Sequence, residues 1–305
     1  MTLVESTRPD HRDDAERLIE AILPLTGKAT RIGITGPPGA GKSTFIERFG
    51  LDGIALGHRI AVLAVDPGSK RGGGAILGDK TRMAELARAP AAFIRPSSAG
   101  SQLGGVARRT REAILVCEAA GFDTVLVETV GAGQSETSVA EMTDLFLLIL
   151  PPAAGDELQA LKRGIIELAD LVLVNKADGP LEEHARRSAA EFANALRLIR
   201  PPVPEWEVPV RAVSALTGTG IAELWDDAAR FRAALESSGA WQQRRAEQAK
   251  AALWAEIGDS LIDRFRTSPG VAARLAAVEA DVAAEARNPV AAARLLVTEF
   301  LGTNN

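Results

Sequence analysis

The sequence is short of cysteine, histidine and long apolar runs, and each shortage excludes a class of protein. Cys117 is the single cysteine among 305 residues, which excludes an intramolecular disulfide and is typical of a reducing compartment. Its apolar neighbours, AILVCEAA, predict a small buried side chain rather than a reactive thiol. The 3 histidines are scattered along the chain, so histidine and cysteine together predict no metal site.

A membrane segment, a targeting signal and a basic surface are also missing from the sequence. The longest apolar run, residues 145–152, is much too short to cross a bilayer. The first residues, MTLVESTRPDHRDDAERL, are charged and contain no apolar segment of the kind that signal peptides carry. A net charge of −5 provides no basic surface for nucleic acid or for an anionic membrane. We therefore expect a cytoplasmic protein that binds neither nucleic acid nor membranes.

Short apolar segments alternate with segments of helical periodicity as far as Gly239. Continuous apolar strands that alternate with helices indicate an α/β fold, with a mostly parallel central sheet flanked by helices. Beyond Gly239 only helical patterns remain. Strands are predicted at residues 32–34, 58–65, 124–128, 145–150, 171–175 and 209–214, and helices at 10–26, 43–57, 104–120, 156–169, 181–198, 221–235, 241–265, 271–282 and 288–302.

Residues 31–44, RIGITGPPGAGKST, run from an apolar strand through a glycine-rich turn into a helix. They fit the phosphate-binding loop pattern, in which glycines let successive backbone N–H groups surround a phosphate at a helix N-terminus. Lys42 adds a cation for the β- and γ-phosphates, and the Ser43 hydroxyl is placed to bind Mg²⁺. The loop predicts a site for a nucleoside triphosphate, formed by Gly36, Pro37, Pro38, Gly39, Ala40, Gly41, Lys42, Ser43 and Thr44.

Two acidic residues end predicted strands that follow this loop. Asp66 comes after the strand at 58–65, and Glu128 ends the strand at 124–128. The carboxyl ends of parallel strands meet at the rim where ligands bind, so both side chains are expected beside the phosphates. An acid is tolerated there through Mg²⁺, directly or through its water shell. We therefore predict both as magnesium-site residues; capping a helix or turn is the alternative role.

Glu128-Thr-Val-Gly131 has the spacing of a strand-end acid and a glycine found in GTPases, whose glycine N–H senses the γ-phosphate. The acid of that pattern is usually Asp, so Glu128 is a departure. The glutamine that often follows the glycine is replaced by Ala132, and Gln134 lies further along. The sequence therefore leaves open which group orients the attacking water.

Asn175-Lys176-Ala-Asp178 ends the next strand, and its carboxylate can accept hydrogen bonds from guanine N1–H and the exocyclic amine. Adenine offers neither donor, and the unpaired acid would reject ATP by up to ~10⁴-fold. The segment Ser214-Ala215-Leu216 matches the element that backs the base in GTPases. These two segments predict GTP and GDP as the ligands.

Three further stretches have no generic GTPase explanation: DPGSKRGGGAILGDKTRM (66–83), ETVGAGQSE (128–136) and GDELQALKRGIIELAD (155–170). With the phosphate loop and VNKAD, they closely resemble the MeaB/ArgK family of GTPases, over about residues 10–305. These are metallochaperones of adenosylcobalamin-dependent acyl-CoA mutases, related to the methylmalonic aciduria type A protein. The resemblance implies a nucleotide and magnesium site at Lys42, Asp66, Asp79 and Glu128, with Gly131 beside it.

The resemblance also implies three switches, at residues 66–82, 131–136 and 153–163, the last of which contacts the mutase. The family's first switch is similar to DPSSPFTGGSILGDKTRM. This chain departs from it at Gly68, Lys70, Arg71, Gly72 and Ala75, and Gly72 replaces a threonine that could reach Mg²⁺ or the γ-phosphate.

We therefore predict an N-terminal helical extension at 1–30, a P-loop GTPase domain at 31–239 and a helical dimerisation arm at 240–305. GTP hydrolysis would gate cobalamin loading, or removal of damaged cofactor, at the cobalamin-binding domain of a mutase. The mutase itself, acting on methylmalonyl-, ethylmalonyl-, isobutyryl- or 2-hydroxyisobutyryl-CoA, stays open, as does direct contact with cobalamin. The alternatives are an ATP-dependent kinase of a basic-amino-acid transport protein and a nucleotide-regulated binding module with negligible hydrolysis.

Overall fold

The computed structural model of the chain describes residues 1–6, 8–66, 83–98, 103–129, 135–152, 163–197, 203–204 and 206–302. Its strands are β1 (Thr30–Thr35), β2 (Ile60–Asp66), β3 (Ala92–Ser98), β4 (Thr124–Thr129), β5 (Leu145–Leu150), β6 (Leu171–Val174) and β7 (Val210–Ala212). They form one 7-stranded sheet in the order β3-β2-β4-β1-β5-β6-β7. Every pairing is parallel, which confirms the predicted fold class.

The predicted strands are all present, and β3 is a strand that the sequence reasoning missed. It reads AFIRPSS, and its proline and arginine interrupt the apolar pattern that marks the other strands. The strand lies at the edge of the sheet, paired with β2 alone among the described strands. An edge is where a proline, which cannot donate a ladder hydrogen bond, is tolerated in a sheet.

The described helices lie close to the predicted bounds, except the helix Ser135–Ala140, which the sequence reasoning did not predict. The predicted helix at 156–169 is seen only as a short helix starting at residue 163, and residues 156–162 lie outside the described part. The helices are α1 (Pro9–Ile22), α2 (Lys42–Ala55), α3 (Leu103–Ala119), α4 (Ser135–Ala140), α5 (Arg163–Ile166), α6 (Glu182–Leu196), α7 (Glu223–Ser238), α8 (Ala240–Thr267), α9 (Pro269–Ala283) and α10 (Pro289–Gly302), with 3₁₀ turns at Leu23–Leu25, Leu86–Arg88 and Gly179–Leu181.

Alternate residues of the central strands pack against different helices, because successive side chains of a strand point to opposite faces. On one face, Ile34 of β1 belongs to the same buried cluster as Phe45 of α2. On the other face, Val127 of β4 packs in a cluster with Ile114 of α3 and Val139 of α4. Helix α6 covers β5 and β6 with Ala185, Ala189 and Phe192. The sheet is therefore buried on both sides, as its continuous apolar strands predict.

Two arginines tie the first turns of α8 to the amino ends of two strands. Arg244 places Nη2 2.9 Å from Oδ2 of the buried Asp170, which also accepts a hydrogen bond from the Phe146 N–H. Arg245 places Nη2 2.7 Å from Oδ2 of the buried Asp144. Burial raises the pKa of Asp170, and the charge of Arg244 opposes that shift. The start of α8 therefore belongs to the structure of the sheet.

The chain divides into two compact units, Met1–Gln248 and Ala249–Asn305. In the second unit, Val278 of α9 packs with Leu296 of α10 in a small buried cluster. Asn288 caps α10, since its Oδ1 accepts hydrogen bonds from the N–H groups of Val290 at 2.9 Å and Ala291 at 3.2 Å. Asn288 followed by proline is thus the helix start that the sequence predicts. Among the described helices, none is long and apolar enough to span a membrane.

Candidate active site

The phosphate-binding loop leaves the carboxyl end of β1 and enters α2 in a backbone conformation that its glycines make possible. Gly39 and Gly41 have φ of +81° and +89°, and Gly41 is the residue that precedes α2. A Cβ on Gly36 would lie 2.0 Å from the Ile149 carbonyl oxygen, so only glycine fits beside β5. Ala40 is buried, while Pro38, Gly39 and Thr44 are exposed. The loop thus presents backbone N–H groups at the positive end of a helix, an arrangement that binds phosphate.

Lys42 begins α2 and folds back across the loop. Its Nζ donates to the carbonyl oxygen of Gly36 at 2.7 Å and of Pro37 at 3.2 Å. Burial lowers the pKa of this side chain, and the negative charges of Glu128 and Glu136 oppose the shift. A buried cation held by carbonyl oxygens and near two carboxylates is available to a phosphate that enters the loop.

Glu128 and Ser43 place two oxygen atoms that could bind a metal at the same end of the site. Glu128 belongs to β4 and is almost fully buried, and the Ser43 hydroxyl donates to its Oε1 at 3.3 Å. Hydroxyl and carboxylate oxygens are the ligands that Mg²⁺ prefers, so these residues fit the predicted magnesium site. The backbone of Asp66 ends β2 in the same sheet, next to β4. Within the described residues no group of three or more His, Cys, Asp or Glu could hold a metal.

Several predicted residues lie outside what the structure describes. These are Asp79, Gly131 and the side chain of Asp66, together with most of the three switches, at residues 67–82, 130–134 and 153–162. The divergent positions of the first switch, Gly68 to Ala75, fall within them as well. Glu136, at the end of the second switch, is described: it is buried in the first turn of α4, and its charge acts on Lys42.

Asn175 joins the phosphate loop to the segment that is predicted to back the base. Its Nδ2 donates to the Ala40 carbonyl oxygen at 2.8 Å, and its Oδ1 accepts from the Ala215 N–H at 3.0 Å. Asn175 is buried, and a Cβ on Gly41 would lie 2.6 Å from its Nδ2, so the fit is close. The three predicted segments of the nucleotide site are therefore held together by one amide side chain.

Ser214 orders the segment that is predicted to hold the base. Its hydroxyl donates to the Asp178 carboxylate, and its Oγ accepts from the Thr217 N–H at 3.1 Å. Lys176 has φ of +62°, a left-handed conformation that is costly for a residue with a side chain and marks local constraint at functional sites. Leu216 is 77 % exposed and offers an apolar face. Together, the Asp178 carboxylate can accept hydrogen bonds from a purine, and the Leu216 side chain offers an apolar contact for its ring.

One buried polar contact at the rim was missed by the sequence reasoning. Thr129, the residue after Glu128, donates its hydroxyl to Thr35, the residue before Gly36, at 2.9 Å. Each threonine looks like an ordinary strand residue in the sequence. Only the pairing of β1 with β4 could have indicated the contact, and the sequence does not give strand order.

Comparisons with known proteins find relatives that match nearly the whole chain. Residues 1–270 match the family model described as "Methylmalonyl Co-A mutase-associated GTPase MeaB". A "Putative GTPase" of Caulobacter vibrioides is 55 % identical over 282 residues, which cover 92 % of this chain and 86 % of the relative. "Methylmalonic aciduria type A homolog, mitochondrial" of Mus musculus is 47 % identical over 310 residues, which cover 98 % of this chain and 75 % of the relative.

Among solved structures, "Crystal structure of LAO/AO transport system kinase" superposes with a TM-score of 0.77 at 38 % identity, over 99 % of this chain and 91 % of that chain. The likeness therefore includes residues on both sides of the division at Gln248.

Proposed function

We propose that this chain, which belongs to the MeaB family of GTPases, uses the state of its bound guanine nucleotide to gate adenosylcobalamin delivery to an acyl-CoA mutase, or reactivation of that mutase. The fold is that of a P-loop GTPase, and relatives are named GTPases. The reaction is hydrolysis of GTP to GDP and phosphate. The single buried cysteine suits the reducing cytoplasm, where we place the protein.

The observation that carries the choice of nucleotide is the position of Asp178. Asn175 connects the loop at Ala40 with the base segment at Ala215, so the phosphate and base ends of the site have a fixed relation. Ser214 holds the Asp178 carboxylate on the base side. A carboxylate in that place accepts from the two donors of guanine, whereas adenine would leave it unpaired. This supports GTP and GDP over adenine nucleotides.

The residues of the phosphate end divide the chemical work between them. The N-terminus of α2 and the loop backbone bind the phosphates, and Lys42 neutralises charge on them. Ser43 and Glu128 would hold Mg²⁺, with Asp66 and Asp79 as the further predicted members. When bound, the ion neutralises charge that builds up on the phosphate oxygens.

Association with a mutase is supported by the family, whose description names methylmalonyl-CoA mutase. It is also supported by the mouse relative, which carries the name of methylmalonic aciduria type A. We propose the cobalamin-binding domain of the mutase as the contact and residues 153–163 as the part of this chain that reaches it. A partner that binds the switches would supply or position the group that orients the attacking water, which the sequence leaves open after Gly131.

We also propose that the chain is a homodimer through its arm. The second unit has a small core, and large apolar side chains of α8 are left on the surface: Trp254 is 72 % exposed, Leu253 59 % and Leu261 56 %. A cluster of this kind on a soluble protein marks an interaction surface. A two-fold contact with a second copy is the commonest way to cover it.

A second candidate is an ATP-dependent kinase of a basic-amino-acid transport protein, because a solved structure of similar fold is titled LAO/AO transport system kinase. The two candidates differ in nucleotide and in the fate of the phosphoryl group. The GTPase would release phosphate from GTP and leave ATP intact. The kinase would consume ATP and leave the phosphoryl group on the transport protein.

The test measures phosphate release from GTP and from ATP, with and without each acyl-CoA mutase that acts on methylmalonyl-, ethylmalonyl-, isobutyryl- or 2-hydroxyisobutyryl-CoA. We expect GTP to be the preferred substrate and one mutase to raise its turnover. ATP consumption with phosphate transfer to a transport protein would reject the proposal in favour of the kinase. Tight GTP binding with no turnover in any mixture would leave only the binding module.

A further inference from the structure

The hydrogen bond between Thr129 and Thr35 joins the carboxyl ends of two strands beside the candidate active site. Both side chains are fully buried, and Thr129 Oγ1 donates to Thr35 Oγ1 at 2.9 Å. Thr35 is the last residue of β1 and Thr129 is the last residue of β4. The next residue after Thr35 is Gly36, and the residue before Thr129 is Glu128. Neither threonine has an assigned role in the nucleotide site.

The pair lies on the opposite face of the sheet from Glu128. Ile34 is paired in register with Glu128, so Thr35 and Thr129 face each other one residue further along. Since side chains alternate along a strand, the threonines share the face of Val127 and Val139, beneath α4. Glu128 faces α2, where it meets Ser43. The hydroxyl pair therefore supports Glu128 from behind rather than touching the ligand.

Packing does not explain why two hydroxyls occupy these positions. The residues of β4 that share the face of Thr129, Val125 and Val127, are apolar, and so are Ile32 and Ile34 of β1 on the opposite face. Valine has the shape of threonine and an equal preference for strands. Replacing both partners of a buried hydrogen bond by apolar groups of the same shape is nearly neutral or stabilising. Stability alone thus gives no advantage to threonine.

The hydroxyl pair does give a fixed relation between two chain segments that valines would not give. A hydrogen bond is directional and sets the distance between the ends of β1 and β4, whereas contacts between methyl groups have no preferred direction. The end of β1 leads into the phosphate loop. The end of β4 carries Glu128 and leads towards Glu136, and both of these carboxylates act on Lys42. A shift between the two strand ends would therefore move both carboxylates relative to the loop lysine.

We propose that Thr129 and Thr35 are positioning residues for the reaction, which hold Glu128 and the chain towards Glu136 in register with the phosphate loop. This inference rests on the proposed GTPase function. The pair would then help the site to distinguish GTP from GDP, because Glu128 of β4 is predicted to lie at the γ-phosphate end of the site. Binding of GDP, which is held by the loop and the base segment, depends less on it.

The test uses the full chain with four substitutions: Thr129→Val, Thr35→Val, both together, and Thr129→Ser, which keeps the hydroxyl. Single-turnover GTP hydrolysis, the affinities for GDP and for a non-hydrolysable GTP analogue, and the melting temperature are measured for each. Thr124→Val is the matched control, since Thr124 is a buried threonine at the other end of β4 whose hydroxyl donates to Asp123.

We expect Thr129→Val and the double variant to hydrolyse GTP about tenfold more slowly, the effect of roughly one hydrogen bond. Their preference for the GTP analogue over GDP should fall by a similar factor, while GDP affinity stays within about threefold of the parent. Thr129→Ser should restore both values, and Thr124→Val should change neither. The double variant should melt no lower than the single ones, because no hydroxyl is left unpaired.

The proposal is overturned if the double variant folds and matches the parent in turnover and in nucleotide preference. It is also overturned if the double variant cannot fold, since the pair is then needed for stability itself. If the parent shows no GTP turnover, the proposed function fails, and the nucleotide preference alone decides: an unchanged ratio rejects the positioning role, and a reduced ratio supports it.

Discussion

Ser214 donates its hydroxyl to the carboxylate of Asp178 and accepts a hydrogen bond from the Thr217 N–H at 3.1 Å. The serine thereby fixes the carboxylate from the segment that follows β7, while Asn175 fixes the start of the same motif against Ala40. The proposed base choice thus rests on one acid whose position is set from two sides. The prediction that Asp178 recognises guanine can therefore be tested by substituting single residues.

Asp178→Asn should weaken GTP binding and favour xanthosine triphosphate, because an amide can donate to the C2 oxygen of xanthine but cannot accept both guanine donors. We expect a loss of GTP affinity of roughly 10²-fold or more, since a buried polar mismatch is costly. Competition of both nucleotides against a fluorescent GDP measures it. Asp226→Asn, an exposed acid on α7, is the control and should bind GTP normally. Unchanged GTP binding by Asp178→Asn would show that the base is recognised elsewhere.

Binding and chemistry should separate between Lys42 and Glu128. Lys42→Ala should lose affinity for both GTP and GDP, because the cation meets phosphate in the ground state as well as in the transition state. Lys28→Ala, which removes an exposed lysine before β1, controls for net charge and should bind normally. Equilibrium titration with both nucleotides gives the result. Normal affinity in Lys42→Ala would remove this lysine from the phosphate site.

Glu128→Gln should bind nucleotide but hydrolyse GTP slowly, by roughly 10²-fold, with an altered Mg²⁺ dependence. The amide keeps the shape and the hydrogen bond from Ser43 but loses the charge. Asp66→Ala is expected to behave in the same way, and Glu223→Gln on the exposed side of α7 is the control. Single-turnover rates over a range of Mg²⁺ concentrations measure the effect. Parent-like turnover in both acid variants would place them outside the magnesium site.

The arginines of α8 change how the arm should be removed in a dimerisation test. A chain that ends at Gly239 would lose Arg244 and Arg245 and leave Asp170 and Asp144 buried without their arginine partners. Breaking a buried ion pair in this way costs about 3–5 kcal/mol. A chain that ends at Lys250 keeps both pairs. We expect the shorter chain to melt lower than the longer one, as measured by thermal unfolding at equal concentration.

The chain that ends at Lys250 should sediment as a monomer if the arm makes the dimer. A matched pair of point variants tests the same surface without a deletion: Leu261→Asp on α8, where the leucine is 56 % exposed, and Leu23→Asp in the 3₁₀ turn after α1, where it is 55 % exposed. In sedimentation velocity, only Leu261→Asp should dissociate the dimer of the full-length chain. A dimer that survives both the deletion and Leu261→Asp would place the interface outside the arm.

Cys117 should stay inert until the chain unfolds, because burial raises the pKa of its thiol to about 12. Folding favours the protonated thiol, so this stabilisation is complete below the ordinary pKa of 9.0 and is lost as the pH rises towards about 12. Ellman's reagent at pH 8 should react slowly with the native chain and at once in denaturant. Fast reaction of the native chain would contradict its burial.

The sequence predicts best what is written in contiguous residues. The phosphate loop, the Asn175 to Asp178 motif and the strands without interruption are each read from one short segment, and the structure brings them together at one rim. Edge strand β3 was missed because its proline and arginine break the apolar pattern that identifies buried strands.

Contacts between distant residues could not be predicted in the same way. Thr35 and Thr129 are 94 positions apart, and Arg245 and Asp144 are 101 apart. Each side chain has ordinary surroundings in the sequence, and only strand order and the path of α8 bring the partners together. The sequence places the arm boundary at Gly239, where strand patterns end, and the compact units of the structure divide at Gln248. Periodicity identifies elements, but their tertiary contacts define the compact units.

The proposed function links nucleotide state to mutase binding, and thermodynamic reciprocity makes that link measurable. The most direct measurement is the affinity of the full chain for a cobalamin-dependent acyl-CoA mutase, with GDP and with a non-hydrolysable GTP analogue, for each of the four candidate mutases. We predict that one mutase binds with different affinities in the two states and raises GTP turnover, by up to roughly 10³-fold. Equal affinities with no stimulation by any of the four would contradict the account.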